Sequence, residues 1–293
     1  MTKTKLTFSG HETFHCRHFW LKKGYDFIIN NYRFSDPDSV VKLGVGKNMV
    51  SSIRFWMHSF GLVDSDEELT PLAHHIFGPE GFDPYLENIG TIWLLHYHLV
   101  KAQKASIYFL FFNEFRRGRT EFNKGQLEKF IEGKCKEFGN TTSPNSIAKD
   151  VGVFLKNYVR PKNQTRNIED EFSSIFIDLE LIQEIGVLES AGSTWYRINF
   201  SEQESLADDL VLYSILDQYD ELNRQSIPFS NLMTDDKNPG KVFMLSANGL
   251  VHKIESLENK DPGIVFKEDA GRKELQLKPE FDKWEILRKY YAN

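Results

Sequence analysis

Apolar positions recur at helical spacing through most of this 293-residue chain, interrupted by short alternating runs that read as strands. The clearest case is residues 43–63, LGVGKNMVSSIRFWMHSFGLV, which read as the turn and second helix of a helix-turn-helix. In the preceding FSDPDSVVKL, Asp36 is the expected N-cap and Pro37 the first helical residue. Val40, Val41 and Leu43 supply the apolar face. Gly44 and Gly46 permit the sharp turn between two steeply crossing helices. Met49, Val50, Ile53, Phe55, Trp56 and Phe60 then recur near the spacing of a helix that buries one side. Lys47, Asn48, Ser51, Ser52, Arg54 and His58 remain for the other side, and Gly61 closes the helix. Residues of these types contact phosphates and base edges.

The pattern continues as LVDSDEEL, read as a wing-like hairpin, and TPLAHHIF, a helix with Pro71 at its start. Residues 84–138 read as aromatic-rich helices, interrupted by a compact basic turn, Arg116-Arg117-Gly118-Arg119, whose three arginines are expected to contact DNA. A helix beginning at Ser143-Pro144 runs to about Tyr158. Arg160 to Asn167 is a basic loop, FSSIFIDLELIQEIG a helical segment, and VLESAGSTWYRINF a hairpin turning at Gly192. The C-terminal third repeats the opening order: helix, short helix, a helix containing Gly249, two strands around residues 269–272, and a closing helix. The expected architecture is mainly α with small β-hairpins, with winged helix-turn-helix modules at both ends of a helical middle region. The expected boundaries are 1–82, 83–205 and 206–293. In the C-terminal module Lys241, His252, Lys253 and Arg272 occupy the positions that would touch DNA.

Charge sharpens the N-terminal reading. The whole chain carries a formal charge of −6, which argues against coating a polyanion through bulk charge. Residues 1–60 nevertheless hold nine lysines and arginines against four acids, a local +5. Residues 61–90 hold seven acids and no lysine or arginine. A basic module beside an acidic strip suits a local DNA footprint. The two cysteines, Cys16 and Cys135, fit no paired metal spacing and point to a reducing, cytoplasmic setting. Runs such as IYFLFF are too short to span a bilayer, so no membrane association is expected.

Enzyme motifs are few. His11-Glu12-Thr13-Phe14-His15 is a literal HExxH, which on a helix would place two histidines on one face for zinc and a glutamate to activate water. The string starts at residue 11, follows a turn-like Ser9-Gly10, and has no downstream ligand motif. The alternative is that His11 and Glu12 orient the N-terminal segment through hydrogen bonds while Phe14, Phe19 and Trp20 pack. Gly44-Val45-Gly46-Lys47-Asn48 lacks the first glycine and the Ser or Thr of a phosphate loop. His96 and His98, two apart, face different ways on a helix and read as packing or capping residues. No metal site is assigned.

Three long strings, FSGHETFHCRHFWLKKGYD, LGVGKNMVSSIRFW and FDPYLENIGTIWLLHYHL, resemble a bacterial family long carried as a domain of unknown function. Its members include SspB-like proteins of DNA phosphorothioation systems. The resemblance is strongest over residues 8–115 and thinner toward the C-terminus. It implies a component that engages DNA, with nicking for backbone sulfur insertion as an attached activity. The implied partners are a cysteine desulfurase, an ATPase and an ATP-pyrophosphatase-like sulfurtransferase, working together in anti-phage defence. The family often shows Pro-x-Arg after GHETF where this chain has His15-Cys16-Arg17, so the resemblance makes His15 incidental and Arg17 part of the shared pattern. His11, Glu12 and Arg17 are the first polar residues to test for catalysis, although no role for them follows from the sequence. No cofactor is assigned; a nickase would call for Mg²⁺ or Mn²⁺. A non-catalytic adaptor that uses its winged helices for protein contacts is the alternative, and a zinc hydrolase built on HExxH a third reading.

Overall fold

The structure, a computed structural model, describes residues 6–160, 174–188, 192–219, 226–278 and 281–292. It divides into two compact units, Met1–Asn199 and Phe200–Asn293. Both are helical with small antiparallel sheets.

The first unit opens with α1 (Trp20–Ile29), α2 (Ser39–Leu43), α3 (Lys47–Ser59) and α4 (Pro71–Phe77). The expected start at Asp36 is corrected: α2 has five residues, and the Asp36 carboxylate instead accepts from the Arg33 amide at 2.9 Å. Gly44 turns the chain from α2 into α3 at φ +63°, a backbone conformation that glycine adopts without strain. Between α3 and α4, residues 62–70 close through one antiparallel bridge, Val63 to Leu69. Asp64 braces this loop by accepting from the amides of Asp66 and Glu68.

Next come α5 (Ile89–Ala102), α6 (Ser106–Leu110) with a π-helical turn at Phe111–Phe115, β1 (Glu121–Asn123), α7 (Lys124–Phe138) and α8 (Pro144–Tyr158). A 3-10 turn at Ile177–Leu179 leads to β2 (Ile182–Leu188) and β3 (Ser193–Ile198), in a sheet of order β1-β3-β2. Two expectations are corrected. The segment expected to be helical through residue 186 enters the sheet at Ile182, and Glu121–Asn123 forms a strand instead of joining the helix that follows. In both cases cross-strand pairing with β3 overrides the local pattern. The basic loop after Arg160 lies outside the described residues.

Phenylalanines fill the core. Phe111, Phe112, Phe115, Phe122 and Phe154 are fully buried, and the π-helical turn directs its aromatic cluster inward. His96 is buried among them; its Nδ1 lies 2.9 Å from the Tyr158 hydroxyl and its ring 4.7 Å from Phe112. This is the packing role expected for it.

Residues 6–17 form a strap across α3, α6 and α8. The Ser9 amide donates to both carboxylate oxygens of Asp150 on α8, at 3.0 and 3.1 Å. His11 Nε2 lies 2.9 Å from the same carboxylate, and the Cys16 amide donates to the Asn157 side chain at 3.1 Å. Trp56 of α3 donates from its indole to the Phe14 carbonyl, and the His11 ring stacks on Trp56. At Gly10 a Cβ would sit 2.1 Å from the Phe55 ring.

The second unit contains α9 (Asp208–Tyr219), β4 (Ser226–Pro228), α10 (Phe229–Thr234), α11 (Pro239–Val242), α12 (Ala247–Lys260), β5 (Ile264–Asp269), β6 (Arg272–Leu277) and α13 (Lys283–Tyr291). Its sheet has the order β4-β6-β5, with Phe266 opposite Leu275 and Asp269 opposite Arg272 at the turn.

Removing the buried Asp150 acceptor leaves the Ser9 amide and the His11 ring without it. Asp150→Ala is therefore expected to destabilise the first unit by about 2–3 kcal/mol, and Gly10→Ala by about 1–3 kcal/mol as Phe55 is displaced. Chemical denaturation followed by Trp fluorescence measures both; losses below about 0.5 kcal/mol would mean that the strap is not held through these contacts.

Candidate nucleic-acid interface

α3 carries no acidic residue. Lys47, Ser51, Arg54 and His58 are spaced four, three and four apart, so they line one stripe, with Asn48 beside it. Lys47, Asn48, Ser51 and Arg54 are exposed and His58 is half-buried. The opposite side is fixed by Val50, Ile53, Trp56 and Met57, all buried. Ser52, assigned to the stripe from sequence, is corrected: it is fully buried, because it lies four residues before Trp56 and so shares the buried face. The N-cap of α3 is Gly46, which has no side chain to cap the first amides. That end of a helix favours anions.

Two stripe residues are electrostatically conditioned. Arg54 pairs with Glu67 of the acidic 62–70 loop, so the loop sits against the basic face. Burial lowers the His58 pKa from its ordinary value, against an opposing pull from Glu67. Burial therefore favours the neutral form of His58, which offers a hydrogen bond rather than a charge.

The basic turn at residues 116–119 belongs to another element, the end of the π-helical turn. Arg116 Nε donates to the Phe112 carbonyl at 2.6 Å, and burial lowers its pKa to about 10. Arg119 donates to the Phe115 carbonyl at 2.6 Å and lies over the Phe115 ring. Both satisfy helix-end carbonyls, while Arg117 is exposed.

The N-terminal polar residues are not assembled as a zinc site. Glu12 and Thr13 have φ of +48° and +69°, so HExxH forms a turn and not the helix its metal geometry needs. His11 Nδ1 accepts from the Thr13 amide at 3.2 Å while Nε2 donates to Asp150, which engages both ring nitrogens. Glu12 is exposed, and Arg17 bridges to Ser174 with its guanidinium 5.3 Å from the Trp20 ring. Among the described residues no group of three His, Cys, Asp or Glu side chains converges as a metal site.

In the second unit Lys253 is corrected from its expected exposed position. It is buried, donates to the Leu206 carbonyl, and has its pKa lowered by that burial, against the pull of Asp208. Lys241 pairs with Asp236 and His252 with Glu202, whereas Arg272 is exposed. The outward positions of α12 include Asn248, His252, Glu255 and Asn259, a mixed surface rather than a basic one.

Sequence reasoning missed Asp150 and Asn157, which hold the strap from more than 130 residues away and carry no motif. It also missed a cluster of lysines and exposed aromatics beside α1 and α2, whose signal is the interleaving in HFWLKKGYD.

A family model described as a protein of unknown function, DUF4007, matches residues 8–291. No curated protein matches the chain. Two similar solved structures are a magnesium ion-bound SspB crystal structure, at TM-score 0.85, and an SspB crystal structure, at TM-score 0.84. Each is 28% identical to this chain, and each alignment covers 98% of this chain and 88% of the other.

Because the folded-state pKa of His58 is depressed, the stability from its neutral form is fully present above about pH 6.5 and is lost as pH falls through the folded value. His58→Gln is therefore expected to lose less stability than wild type between pH 6.5 and pH 5. Identical pH–stability curves would show that His58 is not held neutral.

Proposed function

The chain belongs to the DUF4007 family, and on that premise we propose that it is the DNA-binding component of a phosphorothioate DNA modification and anti-phage defence system. The observation that carries this reading is the stripe of Lys47, Asn48, Ser51, Arg54 and His58 on a helix without a single carboxylate. We read α2, α3 and the 62–70 loop as a winged helix-turn-helix within residues 1–82, with α3 laid against DNA. Arg117 and Arg119 would add backbone contacts. The likeness to SspB structures, with the three strings that carry the family resemblance, supports a place in a phosphorothioation system. The same reading gives it a cytoplasmic setting and the partners named from the resemblance: a cysteine desulfurase, an ATPase and an ATP-pyrophosphatase-like sulfurtransferase. No helix among the described residues is long and apolar enough to cross a membrane.

Strand nicking belongs to the proposal as an attached activity requiring Mg²⁺ or Mn²⁺. The magnesium ion is a property of the SspB structure that contains it. Since no ligand cluster converges among the described residues of this chain, no step is derived through a metal.

One observation favours an adaptor role for the second unit. We read residues 206–293 as a winged-helix-like module, and 83–205 as the helical middle. The positions of that module expected to touch DNA are largely spent on internal contacts: Lys253 on a carbonyl, Lys241 and His252 on acids. A mixed, partly acidic α12 surface suits protein contacts better than a phosphate backbone.

The test is salt-dependent binding to duplex DNA. Lys47→Ala with Arg54→Ala is expected to lower affinity and reduce the log–log salt slope by about 1 for each phosphate that is no longer neutralised. His58→Ala at pH 7.5 is expected to leave the slope unchanged, because the group is neutral. Glu67→Gln releases Arg54 from a half-exposed pair worth about 0–1 kcal/mol, so it is expected to tighten binding. An unchanged slope in the double variant would refute the placement of α3. Nicking is read as relaxed circles from supercoiled plasmid with Mg²⁺ or Mn²⁺; their absence would remove that activity.

A further inference from the structure

A groove of about 450 Å³ lies beside α1 and α2, reaching Leu43 at the turn into α3. Three of its aromatic rings face solvent: Phe19 is 64% exposed, Tyr85 60% and Tyr32 36%. Lys22, Lys23 and Lys42 line it with one acid, Asp26, which pairs with Lys22 and leaves the other two lysines as the excess charge. Lys23 donates to the Leu43 carbonyl at 3.1 Å, and Lys42 lies 4.7 Å from the Tyr32 ring centre.

The exposure of Tyr85 is imposed by a rigid loop. Buried Asp83 accepts from the amides of Glu87 and Asn88, both at 2.9 Å, and Leu86 takes a left-handed φ of +57°. His18 reaches across to the Tyr85 carbonyl at 2.8 Å, tying the loop to the chain beside Phe19. Leaving large rings in water forgoes their burial, about 1.5–3 kcal/mol for a fully buried Phe. A loop braced in this way presents its ring in a fixed position.

We infer that this groove takes unpaired bases of a DNA strand, stacked on Phe19 and Tyr85 beside the Lys42-covered Tyr32 ring, with the lysines on the phosphates. Exposed aromatic faces joined to a positive groove are the two parts of a single-strand site. The excess of lysine over acid favours a polyanion over an apolar peptide, and Leu43 places the groove next to the end of α3. The inference rests on the DNA-binding reading above and extends it: the first unit would recognise a place where duplex and single strand meet.

Fluorescence anisotropy with a blunt duplex and with the same duplex carrying an oligothymidine overhang tests this. Wild type is expected to bind the overhang DNA more tightly. Phe19→Ala with Tyr85→Ala is expected to lose that preference, about tenfold or more for two stacking rings, while keeping blunt-duplex affinity and thermal stability. Phe19→Tyr keeps the ring and is expected to keep the preference. Equal binding of both DNAs by wild type overturns the inference but leaves duplex recognition by α3 standing. An overhang preference retained in the double variant also overturns it. Failure to bind the blunt duplex refutes the DNA-binding reading itself.

Discussion

A single buried carboxylate, Asp150, anchors the arrangement on which the first unit depends. It accepts from the Ser9 amide with both oxygens and from the His11 ring. A buried carboxylate is costly without donors, so α8 and the strap are tolerable only together. His11, oriented in this way, stacks on Trp56, whose indole is tied to the Phe14 carbonyl. The chain of contacts runs from α8 through the strap to the inner side of α3. It sets which side of α3 is left for solvent and therefore where the basic stripe points.

That stripe is not a free cationic surface. The acidic 62–70 loop lies against it, and Glu67 takes up Arg54. A half-exposed pair of this kind contributes little to stability. The second unit uses its cations differently: Lys253 and Lys241 stabilise its own fold.

How much is legible follows the range of the interaction. Helix α8 begins at Pro144 with Ser143 as its cap, as the local sequence indicates, because both signals act within one turn. The α2–α3 turn at Gly44 and the β5–β6 hairpin are equally local. Strand β2 departs from its helical pattern because its pairing partner β3 decides its conformation. Ser52 departs from the polar stripe because helical spacing leaves the edges of a face ambiguous, and burial there is settled by what packs on it. HExxH is recognisable as a string, yet its helix does not exist, since Glu12 and Thr13 turn left-handed to seat His11 on Asp150.

By itself the sequence determined the local grammar: the order of most helices, the turn glycines, the basic segment followed by an acidic one, and the residue types offered along α3. Those depend on spacing, caps and composition, which act over a few residues. Tertiary structure alone decided which cations are available and which are consumed. Arg116 is taken up by a helix-end carbonyl and Lys253 by a distant one, Arg54 meets Glu67, and Arg117 and Arg119 stay exposed. Only folding brings Phe19, Tyr32 and Tyr85 to one groove, because their proximity arises from three loops and helix ends that no local rule connects.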